Sequence, residues 1–155
     1  FGNHEVKVFD VPGHTKGHIA FYFPGAAKLF CGDALFALGC GRIFEGTPEQ
    51  MWESLQKLQD LPDDTKVYCA HEYTLANANF AMTVEPQNEV LLKRVQEIKN
   101  LRDKGRPTVP STIGLEKSTN PFLRPMSRDI QANLNMLDAE LVDVFAETRR
   151  RKDNF

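Results

Sequence analysis

Short stretches of alternating apolar and polar residues dominate the first 70 positions of the chain. Glu5–Asp10 and Ile19–Phe23 both alternate at a period of two, and each run stops at a proline or glycine break. Lys28–Cys31 and Lys66–Ala70 are two further short apolar runs, each followed directly by polar residues. The pattern predicts four strands joined by turns, so we expect a sheet in this part of the chain.

Between the third and fourth predicted strands, the apolar spacing changes to that of a helix. Thr47 is placed to cap this helix, Pro48 suits the first helical position, and Gln50 completes a capping box. The apolar positions that follow share one helical face, namely Met51, Leu55 and Leu58. We therefore predict that a helix starts immediately after Thr47.

From residue 74 onward, the composition becomes helical. Thr74–Thr83 and Asn88–Lys104 are predicted helices, and Gly105 provides a C-terminal stop for the second one. Strands followed by helices, without regular alternation, predict an α+β fold. The boundary between the strand-rich and helical parts falls near residues 73–86.

The last 50 residues contain one weakly patterned segment and one strongly patterned segment. Residues 106–125 are rich in proline, serine and threonine and are expected to be irregular. The apolar positions after them are spaced as one helical stripe, at Leu134, Leu137, Leu141 and Phe145. We predict an amphipathic segment that ends in the basic run Arg149–Lys152.

Composition excludes several classes of partner. The chain has 155 residues, 41% of them hydrophobic and 26% charged, which is ordinary for a globular protein with a core. A net charge of -2 gives no reason to expect nucleic acid or an anionic membrane as a partner. No apolar run approaches the roughly 20 residues of a membrane span. Cys31, Cys40 and Cys69 are odd in number and lack CxxC spacing, so we expect free thiols in a reducing, cytoplasmic environment.

Three polar residues each follow a predicted strand. His14, Asp33 and His71 lie in the turns where binding sites are usually built on a rigid sheet. Imidazole and carboxylate are ligands of zinc, and they suit iron and manganese too. Each residue also has an ordinary interpretation, since a single loop histidine commonly forms hydrogen bonds and Asp33 could form an Asx turn. Spacing alone leaves both interpretations open.

Longer strings carry a family resemblance. GHTKGH, FCGDALFALGCGRIFEGT, YCAHEYT, NPF and the terminal RRRKDNF occur in this order over nearly the whole chain. Together they resemble the glyoxalase II (hydroxyacylglutathione hydrolase) family of the metallo-β-lactamase superfamily. The resemblance implies that residues 1–73 are part of an αββα sandwich and that residues 74–155 are a small helical domain that binds glutathione.

The resemblance also implies a site with two divalent metal ions. His14 matches a terminal ligand of one ion, His71 a terminal ligand of the other, and Asp33 the catalytic carboxylate that bridges both. Zinc is the first expectation, with iron or manganese as alternatives. His18, the second histidine of GHTKGH, matches a structural position, which agrees with its place at the start of a predicted strand.

The substrate contacts implied by the resemblance are Arg42, Tyr73, Arg149 and Lys152. Glutathione carries two carboxylates, and a guanidinium group binds a carboxylate through paired hydrogen bonds. The ordinary interpretation of the last two residues is a basic helix C-terminus favoured by the helix dipole, and both interpretations can hold together. Phe44 departs from the family, in which many members have tyrosine, so the hydroxyl that would contact the substrate is missing at this position.

The implied activity is hydrolysis of S-D-lactoylglutathione to D-lactate and glutathione, a step of methylglyoxal detoxification. A glutathione thioester is thus the expected partner, and the intact enzyme is expected to be a monomer. Cys40 is a weak candidate for a nucleophile, and a buried, inert thiol explains it better. Two alternatives stay open, namely another hydrolase of the same superfamily and a non-catalytic glutathione-binding fragment.

The expected ligand set is incomplete in these residues. The family has a THxHxDH-type cluster before the matched region, and no HxH or DH pair occurs in the chain. A catalytic zinc usually has three protein ligands, whereas one histidine and a share of Asp33 supply two. The chain also begins at Phe1 rather than methionine. We therefore expect it to be the C-terminal part of a longer enzyme, and to be inactive in isolation.

Overall fold

The structure, a computed structural model, describes residues 2–155. Its strands form one five-stranded sheet and one two-stranded hairpin. The strands are β1 (Lys7–Asp10), β2 (Ile19–Phe23), β3 (Lys28–Gly32), β4 (Leu35–Phe36), β5 (Gly39–Cys40), β6 (Lys66–Cys69) and β7 (Ser111–Thr112). All four predicted strands are present, although the first begins at Lys7 rather than at Glu5 and the fourth ends at Cys69 rather than at Ala70.

The directions of the strands bring three loops to one edge of the sheet. The order is β1-β2-β3-β6-β7, with antiparallel pairs except for the parallel pair of β3 and β6. Two antiparallel steps separate β1 from β3, so β1, β3 and β6 all run in the same direction. Their C-terminal ends therefore open onto the same edge, and side chains in the loops that follow them can meet there.

Within the described residues 2–155, six helices accompany the sheet. They are α1 (Pro48–Gln59), α2 (Thr74–Val84), α3 (Glu89–Asp103), α4 (Ile113–Thr119), α5 (Arg128–Leu134) and α6 (Leu141–Asp153). The predicted capping box of α1 is present, because the Gln50 amide donates to Thr47 Oγ1 at 3.3 Å and the Thr47 amide donates to Gln50 Oε1 at 3.1 Å. No helix within residues 2–155 is long and apolar enough to cross a membrane.

The main core lies between one face of the sheet and the helices. Cross-strand partners Tyr22, Leu29 and Val67 share that buried face. They belong to one apolar cluster with α1 and α6, in which the rings of Trp52 and Phe145 lie 5.8 Å apart. The predicted helical face of α1 is therefore the face that packs, and residues from both parts of the chain contribute to this core.

The opposite face of the sheet is apolar and exposed. Val8, Phe21, Phe30 and Tyr68 are consecutive cross-strand partners on this face, and the rings of Phe30 and Tyr68 stack at 5.0 Å. Phe21 and Phe30 are each about 40% exposed. The face forms a shallow groove of about 560 Å³, and no element within residues 2–155 covers it. One layer of the predicted sandwich is thus open on the side where a second sheet is expected.

Two predictions about the last 50 residues are wrong. The segment expected to be irregular contains β7, α4 and a 3₁₀ turn at Pro121–Leu123, elements too short to produce a visible period. The predicted amphipathic segment near the C-terminus is two helices rather than one. A turn with left-handed residues at Asn135 and Asp138 separates α5 from α6. Leu137 lies in this turn and is 52% exposed, so it does not belong to the core.

Candidate metal centre and adjoining pocket

The three loops that meet at the sheet edge bring together the predicted ligands. His14 lies between β1 and β2, Asp33 directly follows β3, and His71 follows β6. The parallel pairing of β3 and β6 continues past the strands, where the Ala70 amide donates to the Gly32 carbonyl at 3.1 Å. Asp33 and His71 are therefore held side by side by backbone hydrogen bonds.

The two histidines face different oxygens of the same carboxylate. His71 Nε2 lies 3.3 Å from Asp33 Oδ1, and His14 Nε2 lies 3.8 Å from Asp33 Oδ2. All three side chains are partly exposed to a common cavity. The carboxylate is thus central, with one imidazole nitrogen on each side.

The orientation of His14 suits a metal ligand. Its Nδ1 lies 2.8 Å from the Arg42 carbonyl oxygen, which can only accept, so Nδ1 carries the proton. In the neutral ring the lone pair is therefore on Nε2, the atom that faces Asp33. Gly41 makes this approach possible, because a Cβ there would lie 3.2 Å from His14 Nδ1 and 2.0 Å from the Asp33 carbonyl oxygen.

His18 serves the turn that carries Asp33. Its Nε2 lies 3.1 Å from the Asp33 amide nitrogen and 3.1 Å from the Cys31 carbonyl oxygen, so either position of its proton ties the ring to this turn. Gly32 has a left-handed φ of 53°, and a Cβ there would lie 2.7 Å from the same ring nitrogen. This contact agrees with the structural position that the motif implies.

The donor chemistry around Asp33 fits divalent cations. Asp33 Oδ1 is buried and has no hydrogen-bond partner, and a buried carboxylate oxygen without a donor is costly. The His14 lone pair faces the other oxygen, so two acceptors confront each other there. A cation beside each oxygen would satisfy both acceptors, and nitrogen with oxygen is a set that zinc accepts.

The number of donors is smaller than a complete site needs. Within residues 2–155, no three or more His, Cys, Asp or Glu side chains are arranged to hold one ion. His14 and His71 lie on opposite sides of Asp33, so each position has one nitrogen and one oxygen. A catalytic zinc normally takes three protein ligands and a water molecule. The residues therefore fit part of a two-metal ligand set.

Two adjoining cavities lie beside the carboxylate. The first, about 380 Å³, contains the three candidate ligands, and the second, about 210 Å³, contains all four predicted substrate residues, Arg42, Tyr73, Arg149 and Lys152. Phe36, Arg42 and Tyr73 line both cavities. The predicted metal ligands and substrate residues thus line two adjoining cavities that share part of their walls.

Aromatic rings form the wall between the two cavities. Tyr73 stacks on His71 with ring centroids 4.9 Å apart, and Phe36 lies 5.4 Å from Tyr73. Tyr73 is half exposed, so its hydroxyl can reach a ligand, whereas Phe36 is buried. Phe44 is exposed and its ring lies 5.1 Å from His14, at the outer rim of the first cavity.

One carboxylate connects the two arginines of the second cavity. Asp153 Oδ1 accepts from Arg42 Nε at 3.1 Å and lies 2.8 Å from an amino nitrogen of Arg149. Arg149 is buried, donates to the Cys40 carbonyl at 2.9 Å, and lies over the Phe122 ring. Arg149 therefore has mainly internal partners, whereas half-exposed Arg42 is available to a ligand.

Lys152 is the cation of this pocket whose charge is least compensated. Burial lowers the pKa of its ammonium group, and the positive charge of Arg149 lowers it further. The nitrogen lies 5.4 Å and 5.1 Å from the ring centroids of Phe80 and Phe155. Among the described residues, no carboxylate forms an ion pair with it. A carboxylate of a ligand would supply the missing negative charge.

Cys40 is not placed as a nucleophile. It is buried, and burial raises the pKa of its thiol to about 11 despite the neighbouring Arg149. Burial also raises the pKa of Cys31 and Cys69, and all three thiols are free. These thiols are protonated near neutral pH, which supports their interpretation as inert core groups.

Three residues of the site were missed by sequence reasoning, namely Phe36, Asn77 and Asp153. Asp153 follows Arg149 by four residues in a helix, a spacing that often forms ion pairs, so it could have been found. Phe36 belongs to the quoted LFALGCG string, yet nothing in that string indicates that its ring separates two cavities. Asn77 donates to the Ala37 carbonyl at 3.1 Å, a contact that only the fold reveals.

The two parts of the chain match two different family models. Residues 1–71, which carry the three candidate ligands and every strand except β7, match a family model described as the metallo-β-lactamase superfamily. Residues 72–155 match a second model, described as the hydroxyacylglutathione hydrolase C-terminus.

The chain belongs to the hydroxyacylglutathione hydrolase family, as its motifs predicted. Proteins named hydroxyacylglutathione hydrolase from Methylococcus capsulatus and Rhizobium meliloti are 58% and 55% identical to it over 154 and 155 residues. These alignments cover 99% and 100% of the chain, and 60% of each relative. The chain therefore spans about three fifths of the length of these relatives.

Solved structures confirm the predicted fold class. The crystal structure of ETHE1 from Myxococcus xanthus superposes with a TM-score of 0.54 at 28% identity, covering 97% of this chain and 56% of that one. TTHA1623 in a di-iron-bound form gives a TM-score of 0.51 at 30% identity, covering 76% and 42%. The BLEG-1 B3 metallo-β-lactamase gives 0.54 at 26% identity, covering 80% and 44%.

Proposed function

We propose that this chain acts in the hydrolysis of S-D-lactoylglutathione to D-lactate and glutathione, as part of a metal-dependent thioester hydrolase. One observation carries the proposal, namely that the cavity around Asp33 adjoins a cationic, aromatic pocket with which it shares lining residues. The first cavity suits activation of a thioester carbonyl, and the second suits the carboxylates of a glutathione moiety. The names of the relatives support the same reaction.

The proposed cofactors are two divalent metal ions that share Asp33. His14 and Asp33 would hold one ion, and His71 and Asp33 the other. When bound, such ions supply Lewis acidity and activate water near neutral pH. Zinc is the first candidate, and the di-iron form of a structural relative supports iron as well.

The residues of the second cavity are proposed to bind and orient the thiol half of the substrate. Arg42 presents a half-exposed guanidinium, and Tyr73 presents a hydroxyl beside His71. Lys152 presents an ammonium group that forms no ion pair with any carboxylate of the described residues. Arg149 is proposed to act mainly by fixing Asp153 and adding positive potential. The leaving thiol has an ordinary pKa near 8.5, so a dedicated general acid is not required.

The remaining ligands are proposed to come from polypeptide outside these 155 residues. Two donors for each metal position are too few, and the exposed apolar face of the sheet calls for a covering layer. One longer polypeptide that supplies both the missing metal ligands and the covering layer would complete the enzyme. In this proposal, residues 1–73 belong to the sandwich and residues 74–155 form the helical domain, and the intact protein is a cytoplasmic monomer.

The test uses the complete product of the gene that encodes this chain. We expect the zinc-, iron- or manganese-loaded protein to hydrolyse S-D-lactoylglutathione, with Asp33→Asn abolishing turnover and Arg42→Ala chiefly raising KM. A folded, metal-loaded protein that leaves this thioester intact contradicts the proposal.

A panel of other substrates separates the alternatives. Turnover of an unrelated thioester or a β-lactam, without turnover of the glutathione thioester, indicates a different hydrolase of the superfamily. Calorimetric binding of glutathione without hydrolysis of any substrate indicates a binding module.

A further inference from the structure

A buried charge network lies in the helical part, away from the cavities. Glu116 of α4 is fully buried, and Arg94 of α3 is 5% exposed. Glu116 Oε1 accepts from Arg94 at 2.5 Å and from the Ser111 hydroxyl, and Arg94 also donates to Thr119 at 2.5 Å. Burying such a pair carries a desolvation penalty that an apolar pair would avoid, so the pair calls for an explanation beyond stability.

The second oxygen of Glu116 reaches into the β4–β5 hairpin. Glu116 Oε2 accepts from the Leu38 amide at 2.8 Å and from the Asn120 side chain at 2.9 Å. The Asn120 amide nitrogen also lies 3.2 Å from the Phe36 carbonyl oxygen and 3.0 Å from that of Gly39. Leu38 has a left-handed φ of 60°, a conformation that persists in a non-glycine residue only when its surroundings enforce it.

The same hairpin is continuous with the candidate metal centre. It begins two residues after Asp33, and the Gly41 amide closes its base by donating to the Ala34 carbonyl at 3.1 Å. Gly41 in turn packs against Asp33 and His14. The Phe36 ring of the hairpin lies beside His71. A shift of the hairpin would therefore move the central carboxylate and the wall between the two cavities.

We propose that Glu116 is a positioning residue for the proposed reaction, acting through the Leu38 amide and Asn120 to fix the β4–β5 hairpin and thereby the Asp33 carboxylate. This inference rests on the proposed function, because it concerns the same site. A positioning role explains why the buried Glu116 carboxylate accepts from Leu38, the one non-glycine residue of the hairpin with a left-handed φ. Pairing with Arg94 alone does not require the hydrogen bond that the Leu38 amide donates to Glu116 from the hairpin after Asp33.

The test compares three variants of the complete gene product. Glu116→Gln keeps the shape of the side chain but replaces one of its two acceptor oxygens with an NH₂ group. Either the hydrogen bonds to Arg94 and Ser111 or those to Leu38 and Asn120 then lose their acceptor. Asn120→Ala removes the links to the hairpin carbonyls, the donor to Glu116 Oε2 and the acceptor for the Phe122 amide, but leaves the Arg94–Glu116 pair in place. It keeps the test decisive if the first variant does not fold. Leu58→Ala is the control, because it weakens the core at the far end of α1 and has no part in the network.

Two measurements distinguish positioning from stability. The first is zinc retention in a competition titration with a chelator, which needs no substrate. The second is the separation of kcat from KM for the glutathione thioester. Loss of a partner that orients metal ligands typically costs about 10- to 100-fold, so we expect that loss in zinc affinity and kcat for Glu116→Gln and Asn120→Ala, with KM little changed.

The control decides the outcome. We expect Leu58→Ala to lower Tm while the folded protein keeps zinc affinity and kcat. If Glu116→Gln and Asn120→Ala behave in the same way as Leu58→Ala, the positioning role is refuted. If the unsubstituted protein binds zinc but does not hydrolyse the thioester, the proposed function fails, and zinc retention by the variants still tests the positioning role.

Discussion

Replacement of Asp153 by alanine tests how the second cavity is held together. The Asp153 carboxylate joins Arg42, at 3.1 Å, to Arg149, at 2.8 Å, and so connects the loop after β5 to the last turn of α6. Arg149 Nε is already buried without a hydrogen-bond partner. Asp153→Ala therefore leaves a buried guanidinium without a carboxylate partner, held by its contacts with the Cys40 carbonyl and sulfur and with the Phe122 ring.

The two ion pairs of Asp153 contribute differently to the free energy of unfolding. The Arg42 side chain is 51% exposed, and exposed ion pairs contribute about 0–1 kcal/mol. Arg149 is buried, and hydrogen bonds to charged groups contribute about 1.5–3 kcal/mol. Since Asp153 itself is partly solvated, we expect a loss of about 2–3 kcal/mol, which corresponds to a decrease in Tm of about 4–12 °C for a protein of this size class.

Thermal unfolding by circular dichroism provides the measurement. Asp63→Ala is the matched control, because it removes a carboxylate from an exposed pair with Lys117 and is expected to change Tm little. Asp153→Asn keeps an acceptor oxygen, so its Tm should lie between those of Asp153→Ala and Asp63→Ala. Equal Tm values for Asp153→Ala and Asp63→Ala would refute the conclusion that this carboxylate fixes the pocket.

Four further substitutions have defined expected outcomes. Burial raises the pKa of Glu85, but hydrogen bonds from an arginine, an asparagine and a serine outweigh this effect and lower the pKa below its ordinary value. Glu85 therefore stabilises the fold at pH values above the pKa it has in the unfolded chain. This contribution is lost as the pH falls through the pKa it has in the folded protein. Glu85→Gln should therefore lower Tm at neutral pH and weaken its decline on the acid side; an unchanged Tm–pH curve contradicts this. Lys152→Met should raise KM for the glutathione thioester about 10-fold, by loss of a charged hydrogen bond, with kcat little changed; a reduced kcat at constant KM would argue for another role. Phe44→Tyr should lower KM about 3- to 10-fold if a hydroxyl at the cavity rim reaches the substrate, and an unchanged KM shows that it does not. Gly41→Ala should reduce both Tm and zinc content, because its Cβ would lie 2.0 Å from the Asp33 carbonyl oxygen; normal zinc content contradicts the packing described.

Much of the candidate metal centre could be predicted from short patterns. His14, Asp33 and His71 each follow a strand that alternation or apolar content identifies, and strand direction then brings the three loops to one edge. The family motifs named the same residues. The structure places them beside each other, and their roles as ligands stay predictions that the experiments above address.

The second cavity and its support depend on contacts that local patterns do not contain. Asp153 pairs with Arg42 across 111 positions of sequence, and Glu116 bonds the Leu38 amide across 78. The sequence around each partner alone is that of an ordinary helix or loop and does not indicate the contact. Periodicity also extended a stripe through Leu137, because it cannot detect left-handed residues that break a helix.

The most direct test of the central claim is anomalous diffraction from crystals of the complete, metal-loaded gene product. The account predicts two metal peaks that flank the Asp33 carboxylate, each about 2.0–2.2 Å from one of its oxygens, with His14 Nε2 bound to one ion and His71 Nε2 to the other. Peaks that do not involve Asp33, or a single ion bound by neither histidine, would contradict it.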